Sequence, residues 1–245
     1  MNFLVSGGVG FIGSHVCERL LAAGHTVCAL DDLNDFYDPS IKQNTLRELQ
    51  SRAQSFAFVH ADITNRIELN EVLSSMPFDQ IIHLAARAGV RPSFEQPALY
   101  QRVNVEGTVN LLESAKESGI NKITIASSSS VYGINSRIPF NEADPIFSTI
   151  SPYAASKKAA EVMAYSYHNL YGLDISVARY FTVFGPCGRP DMCMFRFAEW
   201  IEKETPIELF GDGEQSRDFT YVDDIARGTI CLLYTSDAAD EGLGV

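Results

Sequence analysis

A tyrosine and a lysine stand four positions apart, Tyr153 and Lys157, in the stretch SPYAASKKAA at 151–160. Ser151 suits a helix N-cap and Pro152 the first helical position, where a missing N–H costs nothing. On such a helix the two side chains lie one turn apart on the same face. Both residue types are common on helix faces, so the pair alone decides little. What it could do is acid–base chemistry, because an ammonium group beside a phenol favours the phenolate. Upstream, ASSSSVYG (126–133) supplies hydroxyls able to hydrogen-bond a reacting alcohol.

Near the N-terminus, VSGGVGFIGSH places Gly7, Gly10 and Gly13 at G-x-x-G-x-x-G. Glycines there permit a tight turn, close approach of backbone to a pyrophosphate, and helix–strand contact. The helix that follows offers free N–H groups and a positive dipole end to an anion. Asp31 ends the next apolar run, roughly 20 residues beyond the glycines, where a carboxylate accepts both ribose hydroxyls of an adenosine. It would also repel a 2′-phosphate, so the expected cofactor is NAD and not NADP. Asp62, in HADIT, is placed to approach the adenine, and Leu84, Ala85 and Ala86 of HLAA let backbone pass close to a cofactor. With a nicotinamide in place the parts interlock. Tyr153 takes a proton from a carbinol as hydride leaves, while Lys157 lowers the Tyr153 pKa and holds the nicotinamide ribose.

The elements that must position these groups follow a regular order. Apolar runs at 2–6, 26–30, 56–60, 80–84, 122–127 and 174–179 read as strands, and amphipathic stretches between most of them read as helices. This β-α-β-α rhythm predicts an α/β fold, a doubly wound parallel sheet with right-handed crossovers. Ligands then bind at the carboxyl edge of the strands. After Arg179 the rhythm breaks. A Gly- and Pro-rich loop, a helix from 193, short strands around Gly211-Asp212-Gly213 and a helix near 222–233 open a second, smaller region. The expected division is 1–179, a cofactor-binding domain; 180–233, a partial substrate region whose last helix returns to the core; and 234–245, an atypical tail.

Composition narrows the function. With 19 basic against 31 acidic residues the net charge is −12, which disfavours nucleic acid, since phosphate contacts need a basic surface. Five cysteines without a CxxC pair suit a reducing cytosol, and the histidines lack metal-ligand spacing, so no metal site is expected. No apolar run reaches the ~20 residues of a membrane span. The expected location is the cytoplasm.

GGVGFIG, HLAA, SSSSVYG, SPYAASKKAAE and SRDFTYVDDI together make the chain resemble the extended short-chain dehydrogenases that act on nucleotide sugars. Within them, LNDFYDPSIK, AGVRPS and RYFTVFGPCGRPDM resemble the UDP-glucuronate 4-epimerases. The resemblance implies a Rossmann sheet, NAD kept bound, hydride removal from sugar C4, rotation of a 4-keto intermediate, and hydride return to its other face. It makes Tyr153 the base, Lys157 its partner and Ser128 the hydroxyl assisting at O4. It adds Phe11, Ile12, Ile63 and Tyr180 to the cofactor contacts. Ser129, Ser130 and Thr182 become candidates for a sugar carboxylate, Arg217 for the diphosphate, and Arg91 and Arg189 for anionic groups. Cys187 stands where the resemblance leads one to expect Trp, and Arg87 and Pro92 where Gln and Tyr are usual. It also implies a longer C-terminal lobe and a homodimer paired through helices such as 95–118 and 152–171. Rival readings are UDP-glucose 4-epimerase, a 4,6-dehydratase, and an NAD-sensing protein without chemistry. A dehydratase would carry an Asp-Glu pair where Ser129 and Ser130 stand, and a mere sensor has no need of Ser128, Tyr153 and Lys157 together.

Overall fold

A computed structural model describes residues 1–134, 137–209 and 211–234. Strands and helices alternate from the start: β1 (Asn2–Ser6), α1 (Phe11–Ala22), β2 (Thr26–Asp31), α2 (Pro39–Arg52), β3 (Phe56–His60), α3 (Arg66–Ser75) and β4 (Gln80–His83). Two short helices, α4 (Pro92–Glu95) and α5 (Pro97–Gln101), lead through a π-helical turn at Arg102–Glu106 into α6 (Gly107–Glu117). Then come β5 (Lys122–Ser128), a 3-10 turn (Ser129–Tyr132), α7 (Pro152–Tyr171), β6 (Asp174–Tyr180) and β7 (Thr182–Phe184). The last elements are α8 (Cys193–Glu202), β8 (Phe219–Tyr221) and α9 (Val222–Cys231).

Six strands form one parallel sheet in the order β3-β2-β1-β4-β5-β6, the doubly wound arrangement expected from the rhythm of the sequence. Side chains alternate between its faces, as the two-residue period of a strand requires. Leu4, Cys28, Leu30 and Ile81 pack with Leu69, Leu111, Leu112 and Ala164 of α3, α6 and α7. Phe3, Val5, Val27, Ala29 and Ile82 pack with Val16, Leu20, Leu49 and Ala226 of α1, α2 and α9. Both faces are thus covered, which is why the strands read as near-continuous apolar runs. In α7, Ser151 caps the start by accepting from the Ala154 N–H at 3.1 Å. Gly172, in the left-handed region at φ 70°, ends the helix. Among the described residues no helix is long and apolar enough to cross a membrane.

The second region departs from the expectation in one respect. Among the described residues, 207–209 form no strand and the turn at Gly211–Gly213 joins no hairpin. The segment from 202 to 209 is exposed along its length, Ile207 and Leu209 included. Instead β8 pairs in parallel with β7, Val183 facing Thr220. The helix read near 222–233 is α9, and it lies on α1: Arg19 Nε donates to Asp223 Oδ1 at 2.7 Å, while Val222 and Ala226 are fully buried. The tail read as atypical, 234–245, lies outside the described residues beyond Tyr234.

Candidate active site

The carboxyl ends of the strands open into one cleft. Its walls include Gly7, Gly10, Phe11, Ile12 and Gly13 after β1, Asp31 at the end of β2, Asp62 and Ile63 after β3, and Leu84, Ala85 and Ala86 after β4. Ser128 from β5, Tyr153 and Lys157 from α7, Tyr180 from β6, then Thr182 and Arg189 complete it. The structure thus gathers every residue read as touching a cofactor, and the three read as catalytic, around a single space. Of the substrate candidates it brings Thr182 and Arg189 to that space. Arg91 and Arg217 are exposed outside it, and Ser129 and Ser130 sit half-buried in the 3-10 turn behind Ser128.

At one end the glycines are fixed by packing. Gly7 has φ 71°, and a Cβ there would lie 2.7 Å from the Ala85 nitrogen. A Cβ on Gly13 would lie 2.0 Å from the Gly7 carbonyl oxygen, so α1 can approach β1 only with glycine at that place. Gly10, by contrast, has only the Gly7 carbonyl oxygen near its would-be Cβ, leaving its other side to the cleft. Beside it the buried Asp31 carboxylate accepts from the Leu33 N–H and from Lys42 Nζ, each at 2.9 Å. Burial pushes the Asp31 carboxyl up, and Lys42 opposes that rise. A cradle admitting no side chain, an open helix start and a buried carboxylate fit a dinucleotide, whose diphosphate Gly10–Gly13 could hold and whose ribose Asp31 could hold.

At the other end Lys157 is buried and donates to the Ala126 carbonyl at 2.8 Å. Burial brings its pKa down to about 8, against the pull of Glu161 one turn further along α7. Burial also raises the Tyr153 phenol, and the groups that oppose this are first the Ser128 hydroxyl and then Arg189. That differs from the sequence reading, which assigned the lowering of Tyr153 to Lys157. Arg189, brought in by the loop after β7, is a cation at the tyrosine that the sequence reading did not count. Arg189 is itself held by Asp191, which accepts from Nε at 2.9 Å and Nη2 at 2.8 Å.

A chain of buried hydrogen bonds links the two ends. The Ser6 hydroxyl meets His83 Nδ1 at 2.7 Å, and His83 Nε2 meets Thr108 Oγ1 at 3.0 Å. Thr108 donates to the Asn104 carbonyl at 2.7 Å, which makes it the acceptor from His83. The Asn104 amide donates to Ser156 Oγ at 2.9 Å, and Ser156 to the Tyr153 carbonyl at 2.7 Å. Burial, aided by the charge of Lys157, holds His83 neutral by pulling its pKa down to about 3.

Sequence reasoning gave Lys42, Phe36 and Tyr37, all cleft residues, no role, because it used LNDFYDPSIK only for its resemblance and did not read α2 as a helix. A signal was available: Asp38-Pro39 is an N-cap followed by a first-turn proline, and Asp38 does cap the helix by accepting from the Ser40 N–H at 2.9 Å. It also gave Arg87 no role, yet Arg87 lines the cleft, its backbone clasped by the Asn104 side chain at 2.7 and 3.0 Å.

Comparison with known proteins agrees with this geometry. A UDP-glucuronate 4-epimerase of Thermodesulfobacterium geofontis is 53% identical over 231 residues, covering 94% of this chain and 71% of that protein. The crystal structure of a UDP-glucuronic acid 4-epimerase from Bacillus cereus, in complex with UDP-glucuronic acid and NAD, superposes with a TM-score of 0.89 at 37% identity. That match covers 96% of this chain and 74% of the other. A dTDP-glucose 4,6-dehydratase from Streptomyces venezuelae, solved with NAD bound, also reaches a TM-score of 0.89, at 31% identity over 96% of this chain and 73% of its own. The sequence model of one family, described as NAD dependent epimerase/dehydratase, matches residues 3–243. With cradle, carboxylate and tyrosine–lysine helix all arranged as such chemistry needs, the chain belongs to the NAD-dependent epimerase/dehydratase family.

Proposed function

We propose that this protein is a 4-epimerase of a UDP-sugar that uses NAD, and that its substrate pair is UDP-glucuronate and UDP-galacturonate. The observation that carries the reading is the meeting of Ser128, Tyr153 and Lys157 at the end of the cleft away from Asp31, and the 53% identity supports the choice of sugar. Bound NAD would supply a hydride acceptor, and then a hydride donor, at sugar C4. Tyr153 accepts the proton of the C4 hydroxyl and returns it. Ser128 orients that oxygen, and Lys157 fixes the ribose and keeps positive charge near the phenol. Phe11, Ile12, Ile63, Leu84 and Tyr180 supply apolar and aromatic walls to the cofactor, and Asp62 a carboxylate near the adenine.

Oxidising a uronic acid at C4 creates a β-keto acid, which loses CO₂ when the C5–C6 bond aligns with the carbonyl π-system. An epimerase must hold the carboxylate so that this bond stays out of alignment. Thr182, in the cleft wall, is the candidate holder, with Ser129 and Ser130 behind Ser128 as its partners. Arg217 is assigned to the diphosphate, and Arg91 and Arg189 to anionic groups of the substrate. We assign 1–179 to cofactor binding and 180–233 to the sugar nucleotide. Five free cysteines support a cytoplasmic site of action, and the exposed Val162, Tyr165 and Leu170 of α7 support pairing with a second copy.

The test is incubation with a panel of UDP-sugars and separation of the products. Interconversion of the two uronates supports the assignment. Faster turnover of UDP-glucose would transfer it to the sister activity.

A further inference from the structure

In the sheet, β1 lies between β2 and β4, and its carboxyl end leads into the glycine loop. Segments leaving β2 and β4 therefore start about 10 Å apart, at ~4.8 Å per strand spacing, with the glycine loop between them. They nevertheless meet. Arg87 Nη1 donates to Asn34 Oδ1 at 3.4 Å, its guanidinium stands 5.8 Å from the centre of the Phe36 ring, and a Cβ on Gly89 would touch Phe36 Cζ at 3.7 Å. A third segment, the loop after β7, brings the Arg189 guanidinium to the same ring at 5.7 Å. That loop is also tied to α1, where His15 Nε2 donates to the Pro186 carbonyl at 3.0 Å. Asn34, Phe36, Arg87 and Arg189 all line the cleft that Gly10, Gly13 and Asp31 line.

Three segments distant in sequence are thus joined in the wall of the cleft through one aromatic ring. The ring has no polar atom to offer a ligand. It offers bulk and a π face, and the face attracts guanidinium groups. We propose that Phe36, clasped by Arg87 and Arg189, is a cofactor-retaining residue that closes the cleft over the middle of the dinucleotide. This rests on the NAD-dependent reading above and deepens it. An enzyme that takes up and returns the same hydride regenerates its cofactor within each cycle, so slow release does not limit turnover. Such an enzyme can hold its cofactor behind a bridge that a dehydrogenase, which must exchange it every cycle, could not tolerate.

The experiment loads the 245-residue chain with radiolabelled NAD, chases with excess unlabelled NAD, and times the loss of protein-bound label. Phe36→Leu keeps bulk and loses the π face; it should release label at least ~10-fold faster, as loss of two cation–π contacts implies. Phe36→Tyr and Phe36→Trp should release it at the original rate, and Arg87→Met several-fold faster. Thermal midpoints, which a merely structural role would move in step with release, should be alike for Phe36→Leu and Phe36→Tyr. Equal release from Phe36→Leu and the unaltered chain would overturn retention by Phe36 while the NAD reading stands. An unaltered chain that captures no label would overturn both. If Phe36→Leu fails to fold, Arg87→Met carries the test, and unchanged release from it overturns the clasp.

Discussion

Lys42 Nζ lies 2.9 Å from Asp31 Oδ1, and both side chains are under a tenth exposed. The carboxylate expected to select NAD therefore has its own cation, supplied by the first turn of α2. The consequence for cofactor choice is directional. In Asp31→Ala the repulsion of a 2′-phosphate is gone and Lys42 remains to attract it. The ratio of NAD to NADP affinity should shrink by ~10-fold or more, about 1.4 kcal/mol per decade. The same change strands a buried ammonium, so stability should fall by about 3–5 kcal/mol. Lys42→Met on top of Asp31→Ala should restore much of that loss and remove the gain in NADP affinity. Cofactor titrations and thermal unfolding of both variants check this, and an unaltered protein that binds the two cofactors equally would refute the Asp31 assignment.

His83 sets an acid limit on stability. Its pKa is near 6.5 unfolded and about 3 folded, so the folded state binds the proton less readily. A histidine depressed in this way favours unfolding as pH falls below 6.5, and the loss grows until about pH 3. At pH 5 it amounts to about 2 kcal/mol. His83→Gln, which retains hydrogen bonding to Ser6 and Thr108 without a titrating ring, should flatten this part of the pH–stability curve. Denaturant unfolding between pH 7 and pH 4.5 measures it; parallel curves for the two proteins would remove His83 as the cause.

Tyr153→Phe should leave cofactor bound and lower turnover by ~10²-fold or more, the scale of a lost general base. Lys157→Met should weaken both cofactor binding and turnover. Because burial brings Lys157 down to about 8, its charge is lost as pH rises through that value, and turnover should decline on the same limb. Rates across pH 6–10 show whether it does. Near-normal turnover by Tyr153→Phe would require another base.

On the proposed reading, Thr182 decides between two products. With the carboxylate held, UDP-glucuronate should yield UDP-galacturonate and little pentose. Thr182→Ala, removing a hydroxyl from the cleft wall, should raise the UDP-pentose fraction several-fold, whereas Arg217→Ala should alter affinity and leave product ratios alone. Chromatography of the sugar nucleotides tests both, and pentose as the main product of the unaltered enzyme would contradict the carboxylate-holding role.

Much of this site was legible because its signals are local. The glycine spacing, the strand-ending Asp31 and the Ser151-Pro152 start of α7 each act over a few residues, and the strand runs at 2–6 and 56–60 coincide with β1 and β3. The unread parts depend on contacts across the chain. Nothing adjacent to Lys42 announces that its ammonium reaches Asp31, eleven residues earlier, because α2 has only two buried positions and a weak apolar stripe. Arg87 and Phe36 meet because β2 and β4 flank β1, which is a fact of topology and not of either motif. The run at 207–209 failed as a strand for the converse reason: its local pattern, with Ile207 and Leu209, was adequate, and among the described residues no strand pairs with it.

The seat of α9 on α1 has a temporal side. Arg19 and Asp223 are 204 positions apart, and Phe3, Val5, Val16 and Leu20 share one apolar cluster with Ala226 and Leu233. On a ribosome adding ~5–20 residues per second, that partner emerges roughly 10–40 s after the strand and helix it must cover. Over that interval the dinucleotide-binding end of the nascent chain has one sheet face only partly clothed. The oldest part of the polypeptide is then among the last to be finished, and contacts of such high sequence separation are those that slow folding most. A substitution at Val222 or Ala226 would thus act first on the yield of folded protein at synthesis, and only second on the rate at which finished molecules work.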